Sequence, residues 1–501
     1  MKKGFTLIEL VAVITLLAIL GILVIPSILN LVKNKQKDLS DASNDVLYKA
    51  TELYLSKHDD YDLINGNIYC ISLSELASEN LITTPFVNPV TRSEISLDKQ
   101  VEVSVVNKSY AYNFKDSCTE KRVYADGTGA NVPTLLSKMI PVKYDGTNWI
   151  YADIYKRWYD YNNRQWANAV VLNTGIDKKV GDIISESDVA LWYVWIPRYK
   201  YTIFNGNNGS ASAQLINVTF ESGTNRTGTV TCTDNQDGSE TCSTITNGTS
   251  TYTHPAFKFG NTELTGFWVG KFEVSGSTSA ITVKPNVTSL RDQTVSSFFT
   301  AIQNVKTTYG VNNADSHMLK NMEWGAVAYL KQSKYGLGTT DIAINDNSSF
   351  YTGGGTSDAY KTNVAQSTTG NICGVYDMSG GAYEYVMGNM KNSSNAFYSS
   401  SAGFATAPDA KYYDSYKYDS SNNTSHARGK LGDATKETLA TFGNVSGGWY
   451  SDYASFPDSG SSWFLRGSNY FIGTYAGVFN FDFDSGGGNS YRSARAVLSA
   501  Q

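Results

Sequence analysis

Charge is scarce in this 501-residue chain. Lys, Arg, Asp and Glu make up 17% of it, against about a quarter in an ordinary soluble domain, and the net charge is −5. There is no basic patch and no Lys/Arg run, which excludes nucleic acid as a partner. The histidines are His58, His254, His317 and His426. They are scattered without the paired spacing of metal ligands, and each is expected on the surface or in a loop. Five cysteines are present, and none follows Cys373. No small-residue A-x-A site follows the apolar N-terminal run, so an ordinary secretory signal is excluded.

That apolar run is the main positive feature. From Phe5 to Val32 it contains a single acid, Glu9, and Lys2 and Lys3 precede it. It exceeds the roughly 18 residues that mark a membrane-spanning helix. As a helix it would reach roughly 40 Å. A bare carboxylate in hydrocarbon is costly, so Glu9 calls for a partner. The core G-F-T-L-I-E-L, from Gly4 to Leu10, with Pro26 beyond it, resembles the class III leader of type IV pilins and pseudopilins. The resemblance implies cleavage after Gly4 by a prepilin peptidase and methylation of Phe5. It also implies pairing of the new amine with Glu9 of a neighbouring subunit during assembly.

After Val32 the pattern turns amphipathic. Leu39, Ala42, Val46, Leu47, Ala50, Leu53 and Tyr54 recur at helical spacing, which extends one helix from Phe5 to about Leu55. Ser72 or Ser74 is placed to cap a short helix, with Glu75 at capping-box spacing from Ser72. Val101–Val106 and Ser109–Phe114 read as a hairpin around Asn107-Lys108. Proximity in sequence suggests disulfides Cys70–Cys118 and Cys232–Cys242, leaving Cys373 as a buried thiol. A loop the size of the first would contribute on the order of 4 kcal/mol.

Tyr124–Pro133 is rich in turn residues and reads as a linker. Beyond it come short aromatic strands with Trp149, Trp158, Trp166 and the run Leu191 to Ile196. Residues 205–253 are polar and repetitive and read as a surface insertion, with Asp237-Gly238 at a hairpin tip. Tyrosine is abundant at 34, beside 43 glycines and many Ser, Thr and Asn. That mixture suits a recognition surface, where Tyr supplies rigid contact area and small polar residues adapt. It suits an all-β extracellular domain with polar turns equally well.

Five segments carry a second resemblance. They are Gly266–Gly276, Met318–Leu330, Cys373–Asn389 with its G-V-Y-D-M-S-G core, Trp463–Tyr470 and Tyr491–Leu498. In this order they are similar to the formylglycine-generating-enzyme family, which has an elaborated C-type-lectin-like fold. The family's two reactive cysteines would fall near Phe471 and Ala476, and neither is present. The Asn of its G-N-V-W-E-W element is Gly381 here. No catalytic residue, metal ligand or cofactor is therefore assigned, and no enzyme activity is expected. Trp324, Tyr376 and Trp463 are expected in the core, with Arg466 and Arg495 as buried hydrogen-bonding arginines.

The C-terminal stretch resembles the variable region of lectin-like proteins diversified by retroelements. The resemblance implies a ligand-binding face of Asn469, Tyr470, Phe471, Thr474, Tyr475, Asn480, Asp482, Asp484, Asn489, Ser490 and Tyr491. Phe479, Phe481 and Phe483 alternate with Asn480, Asp482 and Asp484, which predicts one buried and one exposed side.

The expected fold class is α+β. A long N-terminal transmembrane or fibre helix leads into a small α+β pilin head, followed by a C-type-lectin-like (sulfatase-modifying-factor-like) mixed α/β domain. The expected boundaries are 1–4 for the leader, 5–56 for the helix, 57–123 for the head, 124–133 for the linker and 134–501 for the lectin-like domain. The expected function is a minor or tip pilin-like subunit that displays a non-catalytic binding domain. A pseudopilin of a secretion or uptake machine, and a surface-anchored formylglycine-generating enzyme, are the other two readings. The expected partners are other pilin subunits, a prepilin peptidase, the inner or cytoplasmic membrane, and a protein or glycan ligand on a surface. The chain would sit in the cell membrane before assembly and on an extracellular pilus or the cell surface afterwards.

Overall fold

Leu47, Ala50, Thr51, Tyr54 and Leu55 lie at three- and four-residue spacing, and they form the buried stripe of a helix over residues 33–57. The computed structural model describes residues 33–500, apart from 59–60, 207–208 and 427–428. Gly4, Phe5, Glu9 and Pro26 lie outside the described residues. The chain divides into two compact units, Met1–Val123 and Tyr124–Gln501.

In the first unit the helix stripe packs with a three-stranded antiparallel sheet of Ile68–Ser72, Gln100–Val106 and Ser109–Lys115. Val101, Val103 and Val105 face inward at the period of two that a half-buried strand requires. Asn107 and Lys108 both take positive φ, the geometry of a tight two-residue hairpin turn. Ser72 caps the helix Leu73–Ser78, and the Glu75 carboxylate returns to the Ser72 backbone N–H at 2.7 Å. Cys70 is bonded to Cys118. Leu39, Val46 and Leu53, expected on the apolar stripe, are about half exposed.

The second unit is built on an eight-stranded antiparallel sheet. Its order is Ala314–Met318, Ala496–Ala500, Gly266–Gly270, Val189–Pro197, Asn168–Leu172, Met139–Tyr144, Trp149–Tyr151 and Ile183–Ile184. Every residue of Val189–Pro197 is buried, as expected of a central strand covered on both faces. A five-stranded sheet carries the C-terminal segments. Trp463–Gly467 runs antiparallel between Tyr383–Met390 and Gly477–Asp484, while Asp414–Tyr416 and Arg492–Ala494 pair in parallel with Tyr383–Met390. Trp324, Tyr376 and Trp463 are fully buried.

The α+β fold class is corrected by this architecture. The second unit is mostly strands and irregular connections, and its longest described helix is the 11-residue Asn321–Lys331. Its abundance of Gly, Asn, Ser and Thr disfavours long helices and favours caps and turns. Among the described residues no helix is long and apolar enough to cross a membrane. The helix at 33–57 carries Lys33, Lys35, Lys37, Asp38, Asp41 and Asp45 in its first half.

The segments expected as linker and insertion both make specific contacts within the second unit. Tyr124–Pro133 is docked on the second unit rather than free. The Asn131 amide donates to the carbonyls of Glu221, Gly223 and Thr265, and Asp126 accepts from the Tyr161 N–H. Residues 205–253 are anchored rather than appended. Val218–Phe220 and Thr251–Thr253 flank Tyr199–Thr202 in one sheet, and Ile216, Val230 and Tyr252 are buried. The fully buried Arg198 clasps Glu221 at 3.0 Å and reaches Glu263 at 2.8 Å.

Candidate functional site

Two C-terminal loops are positioned by one turn. Trp463–Gly467 pairs in register with Gly477–Asp484 until the pairing slips between Arg466 and Gly467, and the residues between the strands form a loop. The Gly380 N–H donates to the Gly467 carbonyl and the Tyr470 N–H to the Gly381 carbonyl. The second loop joins the same turn where the Tyr383 N–H donates to the Tyr491 carbonyl. Gly381 has φ of 71°, which glycine adopts without strain, and a Cβ there would meet the Glu273 carboxylate at 2.6 Å.

An acid cluster underlies this turn. Glu273 accepts from the Ala382 N–H at 2.9 Å. Burial, with Asp377 and Glu384 nearby, pushes its carboxyl well above the ordinary range. Arg495 answers with Nε 2.9 Å from Glu384, and it also donates to the carbonyls of Gly270 and Tyr376. Arg466 is equally buried, donates to the Ala434 carbonyl and lies over the Trp324 ring. These groups hold loops in place.

The loops display aromatic side chains. Phe471 is 55% exposed, Tyr475 44% and Tyr491 41%. Phe471 lies edge-on to Tyr470 at 5.2 Å and to Tyr491 at 5.4 Å between ring centroids. Beneath them the buried Phe350 meets Tyr470 at 4.9 Å and Tyr491 at 5.9 Å. Arg291 stacks 3.9 Å over Phe350 and donates to the Ser490 carbonyl. Thr474 and Ser490 are exposed, and Asn489 is half-buried, its amide oxygen accepting from the Tyr491 N–H. Phe350 and Arg291 are absent from the sequence-derived set. They lie more than a hundred residues upstream, and no local pattern marks them.

The alternation expected along Gly477–Asp484 is corrected. Phe479 and Phe481 are buried, but so is Asn480, whose amide donates to the Tyr475 carbonyl at 3.0 Å. The loop from 473 to 476 folds back over that side. The outer strand edge is covered too, because the Phe481 N–H donates to Tyr453 and the Ser455 N–H to Phe481. Asn469 is also buried and accepts from the Phe471 N–H. Asp484 accepts from the Tyr385 hydroxyl and the Gly486 N–H and pairs with Arg492. Asp482 is half-buried, and burial pushes its carboxyl up to about 6.

The remaining sequence candidates fall elsewhere. Cys232 is bonded to Cys242, and their neighbour Glu240 therefore faces a disulfide rather than thiolates. Cys373 is half-buried, and burial pushes its thiol up to about 11, away from the thiolate form. Three histidines are interior rather than superficial. His254 bonds the Gly432 carbonyl, and burial lowers it to about 3. His317 lies between Asp315 and Glu323, and His426 is buried beside Phe456. No protein-family model matches this chain, and no curated protein is similar to it.

Proposed function

We propose that this chain is a non-catalytic recognition subunit of a pilin-type surface assembly. It holds a protein or glycan ligand on the face formed by Phe471, Tyr475 and Tyr491, with Tyr470, Thr474 and Ser490 around them. The observation that carries the reading is the exposure of these aromatics on rigidly anchored loops. Large rings that keep few rotamers give contact area at low entropic cost. Asn469, Asn480 and Asp484 act as the frame of that face rather than as its contacts. The sequence around Gly4, Phe5 and Glu9 supports processing and assembly of the pilin type. The raised thiol of Cys373 and the absence of a cysteine near Phe471 or Ala476 support a binding role over oxidative catalysis.

The test is adhesion of producing cells to a panel of cells and glycan-coated surfaces, comparing the native chain with a Phe471→Ala/Tyr475→Ala/Tyr491→Ala variant. Loss of roughly tenfold in adhesion at equal surface level is expected, since exposed aromatic anchors dominate such contacts. Unchanged adhesion at equal surface level would overturn the assignment of this face.

A further inference from the structure

His317 is fully buried in Ala314–Met318, the edge strand of the eight-stranded sheet, with a carboxylate at each ring nitrogen. Nδ1 lies 3.3 Å from Asp315 and Nε2 2.9 Å from Glu323. Glu323 is itself fixed at the start of Asn321–Lys331, where its second oxygen accepts from the Lys320 N–H at 2.9 Å. Phe259 stacks on the imidazole with ring centroids 4.5 Å apart. A neutral imidazole carries one N–H and serves one carboxylate, whereas the imidazolium serves both. Burial opposes the charge, yet Glu323 and Asp315 outweigh it and hold the imidazole above its ordinary value. Despite burial, both carboxyls are held below theirs, Asp315 by His317 and Lys411 and Glu323 by His317 and Lys320.

Asp315 also fastens a covering segment, residues 409–416. Its Oδ2 takes the Lys411 ammonium at 3.2 Å and the Tyr412 hydroxyl at 3.0 Å. Tyr412 lies edge-on to Phe259 at 5.6 Å and to Phe299 at 5.5 Å. Asp409 caps the turn Ala410–Tyr412 by accepting from the Lys411 N–H, and Asp414 accepts from the Met322 N–H at 2.7 Å. The titratable groups around the imidazole are thus Asp315 on its own strand, Lys320 and Glu323 at the helix start, and Lys411, Tyr412 and Asp414 in the cover. Lys320 and Lys411 both lie over the Phe259 ring, at 5.6 and 5.1 Å. Burial pushes the Asp414 carboxyl up, so it adds little negative charge. A buried carboxylate that loses its donor is costly, and here both acceptors depend on one ring.

We propose that His317 is the catch of a pH-sensitive latch: its imidazolium ties the edge strand to the helix start and holds Asp315 for Lys411 and Tyr412, and loss of the proton loosens the segment 409–416. The folded chain keeps this proton more tightly than an unfolded histidine, which titrates near about 6.5. The latch is complete below about pH 6.5 and weakens as pH rises through the raised value. At the acid end it fails only where Asp315 and Glu323 take up protons, below about pH 4. Lys411 and Tyr412 keep their charge states across the interval in which His317 titrates, because Asp315 raises both.

The experiment is hydrogen exchange by mass spectrometry on the full chain between about pH 5.5 and 9, read as protection factors so that the intrinsic pH dependence of exchange is divided out. Protection at 409–416 should fall by up to tenfold per pH unit above about 6.5 and level off once the folded value is passed, while the central strand Val189–Pro197 keeps its protection. His317→Gln retains an amide donor but cannot take the charge, so its cover should start less protected and show no fall. Glu437→Gln, which alters a different buried acid, should keep the fall. NMR titration of the native chain with labelled histidine gives a readout that does not depend on the variant folding. The His317 imidazole, assigned by elimination through single variants of His58, His254 and His426, should titrate above about 6.5 with the midpoint of the protection loss. Unchanged protection at 409–416, an equal fall in Val189–Pro197, the same fall in His317→Gln, or a His317 titration at or below about 6.5 would each overturn the proposal.

Discussion

Arg492 and Asp484 face each other at the base of the C-terminal loops, with Nη2 2.6 Å from Oδ2. The same carboxylate takes the Tyr385 hydroxyl and the Gly486 N–H. An acid with this many partners is a clamp on the loop rather than a ligand contact.

Asp484→Ala should therefore lower stability by about 2 kcal/mol, the range for hydrogen bonds to a charged group. Phe471→Ala, which removes an exposed ring, should leave the melting temperature nearly unchanged. Thermal unfolding by circular dichroism checks both. Equal destabilisation by the two variants would refute the division between frame and contact.

Arg495 is the cation of a buried group that holds three carboxyls, Glu273, Asp377 and Glu384. Removing one partner of a buried pair leaves an uncompensated charge, at a cost of about 3–5 kcal/mol. Arg495→Met is expected to unfold at a much lower urea concentration than the native chain. A midpoint within error of the native value would show that these carboxyls do not depend on the guanidinium.

Glu437 sets a pH dependence. Its Oε2 accepts from Tyr201, Tyr329 and the Gly432 N–H, while Oε1 is buried without a partner, and burial pushes the carboxyl up to about 7. An unfolded glutamate titrates near about 4.3, so the folded state holds the proton more tightly. The contribution to stability is complete below about pH 4.3 and is lost as pH rises towards 7, a change on the order of 3 kcal/mol. Urea midpoints between pH 4 and 8 should fall more steeply for the native chain than for Glu437→Gln. Parallel curves would exclude Glu437 as the source.

The two disulfides close loops of different size, with separations of 48 and 10 residues. Chain-entropy arithmetic ranks them at roughly 4 and 3 kcal/mol. Cys70→Ser/Cys118→Ser should destabilise the first unit strongly, because its core is small. Hydrogen exchange in Ile68–Ser72 and Gln100–Val106 is the readout, and unchanged protection there would contradict the ranking.

Much of the local structure was legible in the sequence, because each piece is decided within a few residues. Ser72 and Glu75 are three positions apart and close a capping box. Asn107-Lys108 sits between two alternating segments and turns a hairpin. Cys232 and Cys242 face each other across the short strands that flank Asp237-Gly238. The apolar stripe of the helix at 33–57 follows from its spacing, although only its second half is covered.

Burial of the C-terminal strand was not legible in the same way. Alternation along Phe479 to Asp484 says which side chains share a side. It does not say that the loop at 473–476 folds over Asn480, or that Tyr453 and Ser455 cover the strand edge. Phe350 and Arg291 reach the aromatic face from distant loops. By itself the sequence determined residue types, short-range turns and caps, and the pairing of nearby cysteines, since these depend on a few adjacent torsions. Only the tertiary structure decided which polar residues are frame and which are surface, because burial depends on chain far away in sequence.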